Sequence, residues 1–368
     1  MSLALLDRQP EQRSQTRLAC VDCDIHPTFR SEQDILPYLP ARWRDHMLQY
    51  RRNVRQGLHG TLTHPRMQVN RVDAVTPDGG PPGSDVEFMR THHLDTNNVE
   101  WGLLQALQPS AHAERNLEFG AALASANNDW QIAQWIDKEP RLRGGIQVTQ
   151  EYPEAAVREI EHRARDRRFV QVSLSPRAVE PLGRPRYWPI YEACERNNLP
   201  LGLHVPGIGS GFASTPAGWP SFYLEEHQSF AYVIMGVFTS MVLEGVFERF
   251  KGLKLVLVEG GFGWVPPLCW RLDKHWEKMR SEVPHLKRPP SEYIREHIWF
   301  TTQPMEEPER PEDLLRVIEW IGWDRLLFST DYPHWDFDDP KTVFQVKLTP
   351  EQKRMILSEN AKRVYGLS

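Results

Sequence analysis

Short apolar runs recur along the chain and alternate with longer amphipathic stretches. The runs cover 18–26, 99–107, 144–149, 169–174, 199–205, 253–260, 297–302 and 325–330. Between them, apolar positions fall at helical spacing over Ala111–Lys138, Glu154–Arg165, Trp188–Asn197, His227–Phe250, Val265–Ser281 and Pro311–Ile321, with a last stretch at Pro350–Tyr365. Buried strands joined by crossover helices produce this alternation. Eight such units predict an α/β fold, a (β/α)8 TIM barrel, rather than an open sheet. The stretch His227–Phe250 is apolar nearly all round, which predicts burial against the barrel or in a dimer interface.

One connection breaks the rhythm. Residues 27–98 separate the first two strands, with helical patterns at Glu32–Leu39 and Ala41–Arg55 and a Gly/Pro cluster, TPDGGPPGSD, at 76–85. The cluster reads as a mobile loop. Leaving the end of strand 1, the insertion is expected to lie over the barrel mouth as a lid. Residues 1–17 are polar and aperiodic and read as a flexible tail, and 18–368 as a single barrel domain. No second domain or internal repeat is evident.

Chemistry in such barrels sits at the C-terminal ends of the strands. Strand alternation places Cys20, Asp22, Asp24 and His26 on one inward face and Val21, Cys23 and Ile25 on the other. Asp24-x-His26 then offers a carboxylate and an imidazole side by side, at metal-ligand spacing. Strand 5 ends in His204, strand 6 in Glu259 and strand 8 in Asp331. A polar group ending an otherwise apolar strand is costly unless something pairs with it. His334, three residues past Asp331, is a candidate to orient a substrate. His92 and His93 at the end of the insertion, and Trp264 after the strand-6 glycines, are candidate substrate contacts. Gly207-x-Gly209-x-Gly211 lacks the third glycine of a dinucleotide loop and no helix obviously starts there.

Composition narrows the class. With 368 residues, 40% hydrophobic and 25% charged, the chain can bury a large core. Net charge is −5, from 44 basic and 49 acidic residues, so nothing points to nucleic acid or a membrane surface. Four cysteines make no disulfide framework, and Cys20 and Cys23, three apart on a strand, point to opposite faces. The absence of a leader-like N-terminus leads us to expect a cytoplasmic protein.

The motifs in order, VDCDIHP at strand 1, LGLHVPG at strand 5, LEGVFERFKGLKLVLVEGGFGWVPPLCWRLD at 243–273, FSTDYPHWD at 328–336 and ENAKRVYGL at 359–367, resemble the amidohydrolase superfamily. The similar branch is the amidohydrolase-related one that includes aminocarboxymuconate-semialdehyde decarboxylase and γ-resorcylate decarboxylase. The resemblance covers about 18–368 and implies one divalent metal ion held by Asp24, His26, His204 and Asp331, with Asp331 also able to move a proton. Asp24 stands where the family has the first histidine of H-x-H. Glu259 stands where the decarboxylases have a histidine tied to proton handling. Strand 4, FVQVSLSP, lacks the bridging lysine of two-metal members, so a single ion is expected. Two carboxylates with two imidazoles make a hard donor set that favours manganese over zinc.

The resemblance implies a non-oxidative decarboxylase of an aromatic or enol carboxylic acid, with Asp331 or Glu259 supplying the proton. Hydrolysis of an amide, lactone or C–C bond by the same site stays open, as does a non-catalytic ligand-binding barrel. A small-molecule substrate and a homodimer are the expected partners.

Overall fold

The computed structural model describes residues 18–50, 69–108, 111–205, 213 and 215–368. The 1–17 tail, residues 51–55 of the predicted helix and the Gly207-x-Gly209-x-Gly211 loop lie outside the described residues. Eight parallel strands follow chain order: β1 (Cys20–Ile25), β2 (Val99–Leu104), β3 (Leu142–Gln147), β4 (Phe169–Leu174), β5 (Leu201–His204), β6 (Leu255–Val258), β7 (Ile298–Thr301) and β8 (Leu326–Leu327). Each falls on one of the eight apolar runs. The barrel closes where Cys23 N–H donates to Phe328 O at 3.0 Å and His26 N–H to Tyr332 O at 2.7 Å. It is the TIM barrel that the alternation of runs predicts.

Two layers fill the interior. Val21, Cys23, Leu103, Val170, Val256, Val258 and Leu327 come from five strands and share one apolar cluster, which only the barrel lumen allows. Ala361, Val364 and Tyr365, from the C-terminal helix Asn360–Tyr365, join it and form its floor. Above lies an amide layer. Gln171 Nε2 donates to Gln105 Oε1 at 2.9 Å, and Gln105 Nε2 to the Cys23 carbonyl at 3.1 Å. This layer needs Gly202 in β5, since a Cβ there would sit 2.7 Å from the Gln171 side chain.

Strand 1 does not alternate as expected. Val21 and Cys23 face the lumen, whereas Cys20 and Ile25 belong to the outer cluster. The pairing of β1 with β2 shifts register between Asp22 and Ile25. Such an irregularity inserts a residue and re-aims the side chains beyond it. Asp22 is thereby turned away from the Asp24–His26 pair.

The helices largely keep their predicted places. The 227–250 stretch is instead two helices, Tyr223–Leu243 and Val246–Arg249, parted at Gly245, whose φ is 78°. It is also not buried all round within the chain: Ile234, Phe238 and Met241 pack inward, while Tyr232 is 50% exposed. Two helices have no counterpart among the predicted elements, Val86–Met89, running on into a wider turn to Asp95, and Pro290–His297. The 76–85 cluster is irregular, as its glycines dictate, yet it is anchored. Thr28 N–H donates to Gly83 O at 2.7 Å, and Gly83, at φ 76°, lies so close to the His26 carbonyl that a Cβ would stand 2.4 Å away. Among the described residues no helix is long and apolar enough to cross a bilayer.

Candidate metal centre

The ends of β1, β5, β6 and β8 bring Asp24, His26, His204, Glu259, Asp331 and His334 together at one end of the lumen. His26 Nε2 lies 3.1 Å from Asp24 Oδ1 and 2.7 Å from Asp331 Oδ1. His204 Nε2 lies 3.5 Å from the same Asp24 oxygen and 3.1 Å from Glu259 Oε2. Ligand atoms of Asp24, His26, His204 and Glu259 all fall within 4.8 Å of one another, and those of His26, Asp331 and His334 do likewise. Asp331 thus joins the first group through His26. Glu259 and Asp331 both have left-handed backbone, φ 58° and 64°. For a residue with a Cβ that costs on the order of 1–2 kcal/mol, and such strain persists where the surroundings enforce it. Here Glu259 N–H is held by Thr301 Oγ1 at 3.0 Å, and Asp331 O by His334 N–H at 2.7 Å.

Both imidazoles are fixed from behind. His26 Nδ1–H donates to Gln105 O at 3.0 Å and His204 Nδ1–H to Val205 O at 2.8 Å. In the neutral ring this leaves each Nε2 with a lone pair, aimed at carboxylate oxygens. Lone pair against carboxylate is repulsive unless a cation lies between. Both Asp24 oxygens and His204 Nε2 are buried without a hydrogen-bond partner among the described residues. Buried polar atoms are rarely left so. Two carboxylates and two Nε2 atoms oriented by backbone carbonyls fit a divalent cation.

Titration expresses the same demand for positive charge. Burial works against charge on both rings, but the Asp24 carboxylate outweighs it, holding His26 well above its ordinary value and His204 up to about 10. Burial likewise disfavours the Asp24 anion, yet His26 and His204 hold it below the usual carboxylate range. Burial, then the charge of Asp331, pushes Glu259 up to about 7; burial pushes Asp331 up as well. Burial, then the charge of His26, whose ring centroid lies 4.3 Å away, pushes His334 down to about 3.

These shifts make stability depend on pH. A His204 pKa raised from about 6.5 adds stability that is complete below that pH and disappears as pH rises toward about 10. Metal-free protein should therefore melt at lower temperature at pH 9.5 than at pH 7. A bound cation replaces these protons, so manganese should raise the melting temperature more at pH 9.5. Calorimetry of chelated and manganese-loaded protein checks both; equal increments at the two pH values would contradict them.

The insertion histidines do not reach the cavity. His93 is fully buried, its Nε2–H donating to Asp22 Oδ2 at 2.8 Å while Asn97 Nδ2 donates to its Nδ1 at 3.1 Å. The same Oδ2 accepts from Thr330 Oγ1 at 2.6 Å, and Asp22 Oδ1 accepts from Thr330 N–H at 2.9 Å and Asp24 N–H at 3.2 Å. His93 and Asp22 therefore clamp the chain before Asp331 to β1, one residue from Asp24 by way of Cys23. The predicted substrate contact at His93 is corrected to a structural one. His92 bonds Tyr332 OH at 3.1 Å and stacks on Phe88, outside the cavity wall. Trp264 is also corrected: its Nε1 donates to Gly260 O at 2.8 Å, and the ring packs on Phe238 and Phe300. His93→Ala, which removes one of the two donors to the buried Asp22 Oδ2, should cost about 2 kcal/mol in denaturant unfolding. A cost below about 1 kcal/mol would show that the clamp is not tight.

A cavity of about 360 Å³ opens in front of the cluster, within the range of small-molecule sites. His26, His204, Glu259 and His334 form its polar end, and Val69 and Asn70 of the insertion part of its wall. The insertion does meet the mouth, where Asn70 bridges His334. Several lining groups carry no clear signal in the sequence. His227 Nε2 lies 3.0 Å from Asp336 Oδ2, and Gln303 Nε2 ties Asp336 Oδ2 at 2.9 Å to Asp331 Oδ2 at 3.3 Å. Asp336 stands within the FSTDYPHWD motif, so its proximity to Asp331 was the available signal. Glu226 and His227 had none, because they lie on a helix whose register no pattern fixed.

Known proteins share this architecture. The amidohydrolase family profile matches residues 21–367. A γ-resorcylate decarboxylase of Polaromonas sp. (strain JS666 / ATCC BAA-500) is 27% identical over 301 residues, covering 77% of this chain and 88% of that one. Among solved structures, a dihydroxybenzoic acid decarboxylase from Polaromonas sp. JS666, with bound manganese and the inhibitor 2-nitroresorcinol, superposes with a TM-score of 0.64 at 20% identity, over 95% of this chain and 97% of that one. A 5-carboxyvanillate decarboxylase from Sphingomonas paucimobilis gives 0.69 at 24%, over 96% and 100%.

Proposed function

The chain belongs to the amidohydrolase family, and from that premise we propose that it is a metal-dependent decarboxylase, a carboxy-lyase acting on an aromatic or enol carboxylic acid. One observation carries the reading. Both Asp24 oxygens and His204 Nε2 converge without hydrogen-bond partners among the described residues at the polar end of the cavity, with His26 Nε2, Asp331 and Glu259 beside them. Asp24, His26, His204 and Asp331 would hold one divalent ion. The relatives support decarboxylation, and the hard donor set, together with the manganese in the Polaromonas structure, supports manganese over zinc. When bound, the ion supplies positive charge against which a substrate carboxylate and neighbouring hydroxyl are held, and which steadies negative charge as CO2 departs.

The side chains do the rest. Glu259 Oε, which burial keeps protonated near neutral pH, delivers a proton to the carbon that loses CO2. Asp331, oriented by His334 Nδ1 at 2.7 Å and Gln303, would be ionised once a cation offsets the burial that otherwise keeps its proton on; it takes up the proton of a substrate hydroxyl and returns it as the product leaves, while solvent reprotonates Glu259. Leu107, Val148, Leu174 and Phe230 give the ring an apolar slot that limits water. The replacement of the relatives' strand-6 histidine by Glu259 favours a second reading, hydrolysis, with Glu259 or Asp331 taking a proton from water. Turnover in ¹⁸O-water separates the two: a decarboxylase releases CO2 and leaves the organic product unlabelled, whereas label in the product identifies a hydrolase. We place the protein in the cytoplasm and expect it to pair through the exposed apolar face of Tyr223–Leu243, where Leu224 and Tyr232 lie open.

A further inference from the structure

Glu226 stands in the first turn of the helix Tyr223–Leu243, next to a second acid that already serves the helix end. Glu225 is exposed, and its Oε2 accepts from Ser221 N–H and Phe222 N–H, both at 3.0 Å. The cap is complete without Glu226. Glu226 turns inward instead, 3% exposed, and forms part of the cavity wall with Phe230, Leu174 and Val205. Its Oε2 is buried and has no hydrogen-bond partner among the described residues. Burial pushes the Arg177 guanidinium down and the charge of Glu226 works against that, while Arg177 Nη1 donates to Ala213 O at 3.3 Å. The metal-binding cluster does not include Glu226, yet its neighbour His227 lies within 4.8 Å of Glu259, so the two sets share one chamber. A carboxylate oxygen taken from water and left without a donor is unfavourable. A ligand in the cavity can supply that donor.

We propose that Glu226 is a specificity-determining residue that accepts a hydrogen bond from an O–H or N–H group on the substrate ring. This rests on the reading of the site as a metal-dependent decarboxylase. The substrate class is then an aromatic monocarboxylate with a hydroxyl or amino substituent besides the group held at the cation. A second carboxylate is disfavoured, because Glu226 and Asp336 repel it and no Lys or Arg stands among the described lining residues.

Calorimetric titration of the full-length, manganese-loaded protein tests this. The probes are 2-hydroxybenzoates with a hydroxyl, amino or methoxy group at ring position 4 or 5. In the wild type the best donor-bearing ring should bind at least about tenfold tighter than its methoxy counterpart. In Glu226→Met that ratio should fall below about twofold, since the thioether accepts poorly. Glu226→Gln, which keeps shape and a neutral acceptor, should fall between for the hydroxyl ring. A ratio unchanged in both variants overturns the proposal and assigns Glu226 to balancing Arg177, while binding that still depends on manganese leaves the decarboxylase reading standing. If no ring binds the manganese-loaded wild type, the functional reading fails and the assignment of Glu226 fails with it.

Discussion

Asp24→Asn is expected to leave the purified protein with less than about a tenth of an equivalent of divalent metal and to lower turnover by at least about 10³-fold. Both Asp24 oxygens are free of hydrogen bonds among the described residues, and one lies against the Nε2 atoms of both His26 and His204. Asparagine keeps the shape, removes the charge, and turns an N–H donor toward the cation or toward His26. The barrel should survive, because Asp24 contributes nothing to the apolar layer or the amide layer. Elemental analysis gives the first readout and circular dichroism the control. A variant that retains a full equivalent of metal and more than a tenth of wild-type turnover would remove the centre from the mechanism.

The second large effect belongs to Glu259. Glu259→Gln should lower kcat by about 10²–10⁴, the usual reach of a positioned proton donor, while leaving metal content near one equivalent. Metal retention separates it from Asp24→Asn. The wild-type rate should fall on the alkaline side as Glu259 gives up its proton, and the residual rate of the variant should lack that limb. Because burial is the first cause of the raised Glu259 pKa, with Asp331 next, Asp331→Asn should move the limb to lower pH. An identical profile in wild type and Glu259→Gln would assign the proton to another group.

Much of this site was legible from residues at strand ends. Asp24, His26, His204, Glu259, Asp331 and His334 each terminate or follow an apolar run, and the barrel brings such positions together whatever their separation in sequence. The eight strands were legible for the same reason, since buried parallel strands are continuous apolar runs. The facing of β1 was not. Period-two alternation presumes a regular ladder, and the register shift at Asp22–Ile25 comes from pairing with β2, about 80 residues away. That shift sends Asp22 to His93 and away from the metal-binding pair. His93 therefore looked like a substrate contact while its real partner was assigned elsewhere. Glu226 and His227 were hidden differently. An acidic pair at a helix start is ordinarily a cap, and only the placement of Glu225 shows that one of the two is spare.

The lumen cannot be sealed until the polypeptide has passed both its sides and its underside. β1 meets its last neighbour only after Phe328 has emerged, and Ala361, Val364 and Tyr365 arrive later still. During translation, the cluster around Val21 and Cys23 therefore stays incomplete for more than 300 residues. Apolar surface exposed in a partly folded chain promotes aggregation. Lesions that trim or stiffen residues 360–365 should thus appear first as poor yield and aggregation, well before any change at the opposite, reactive end.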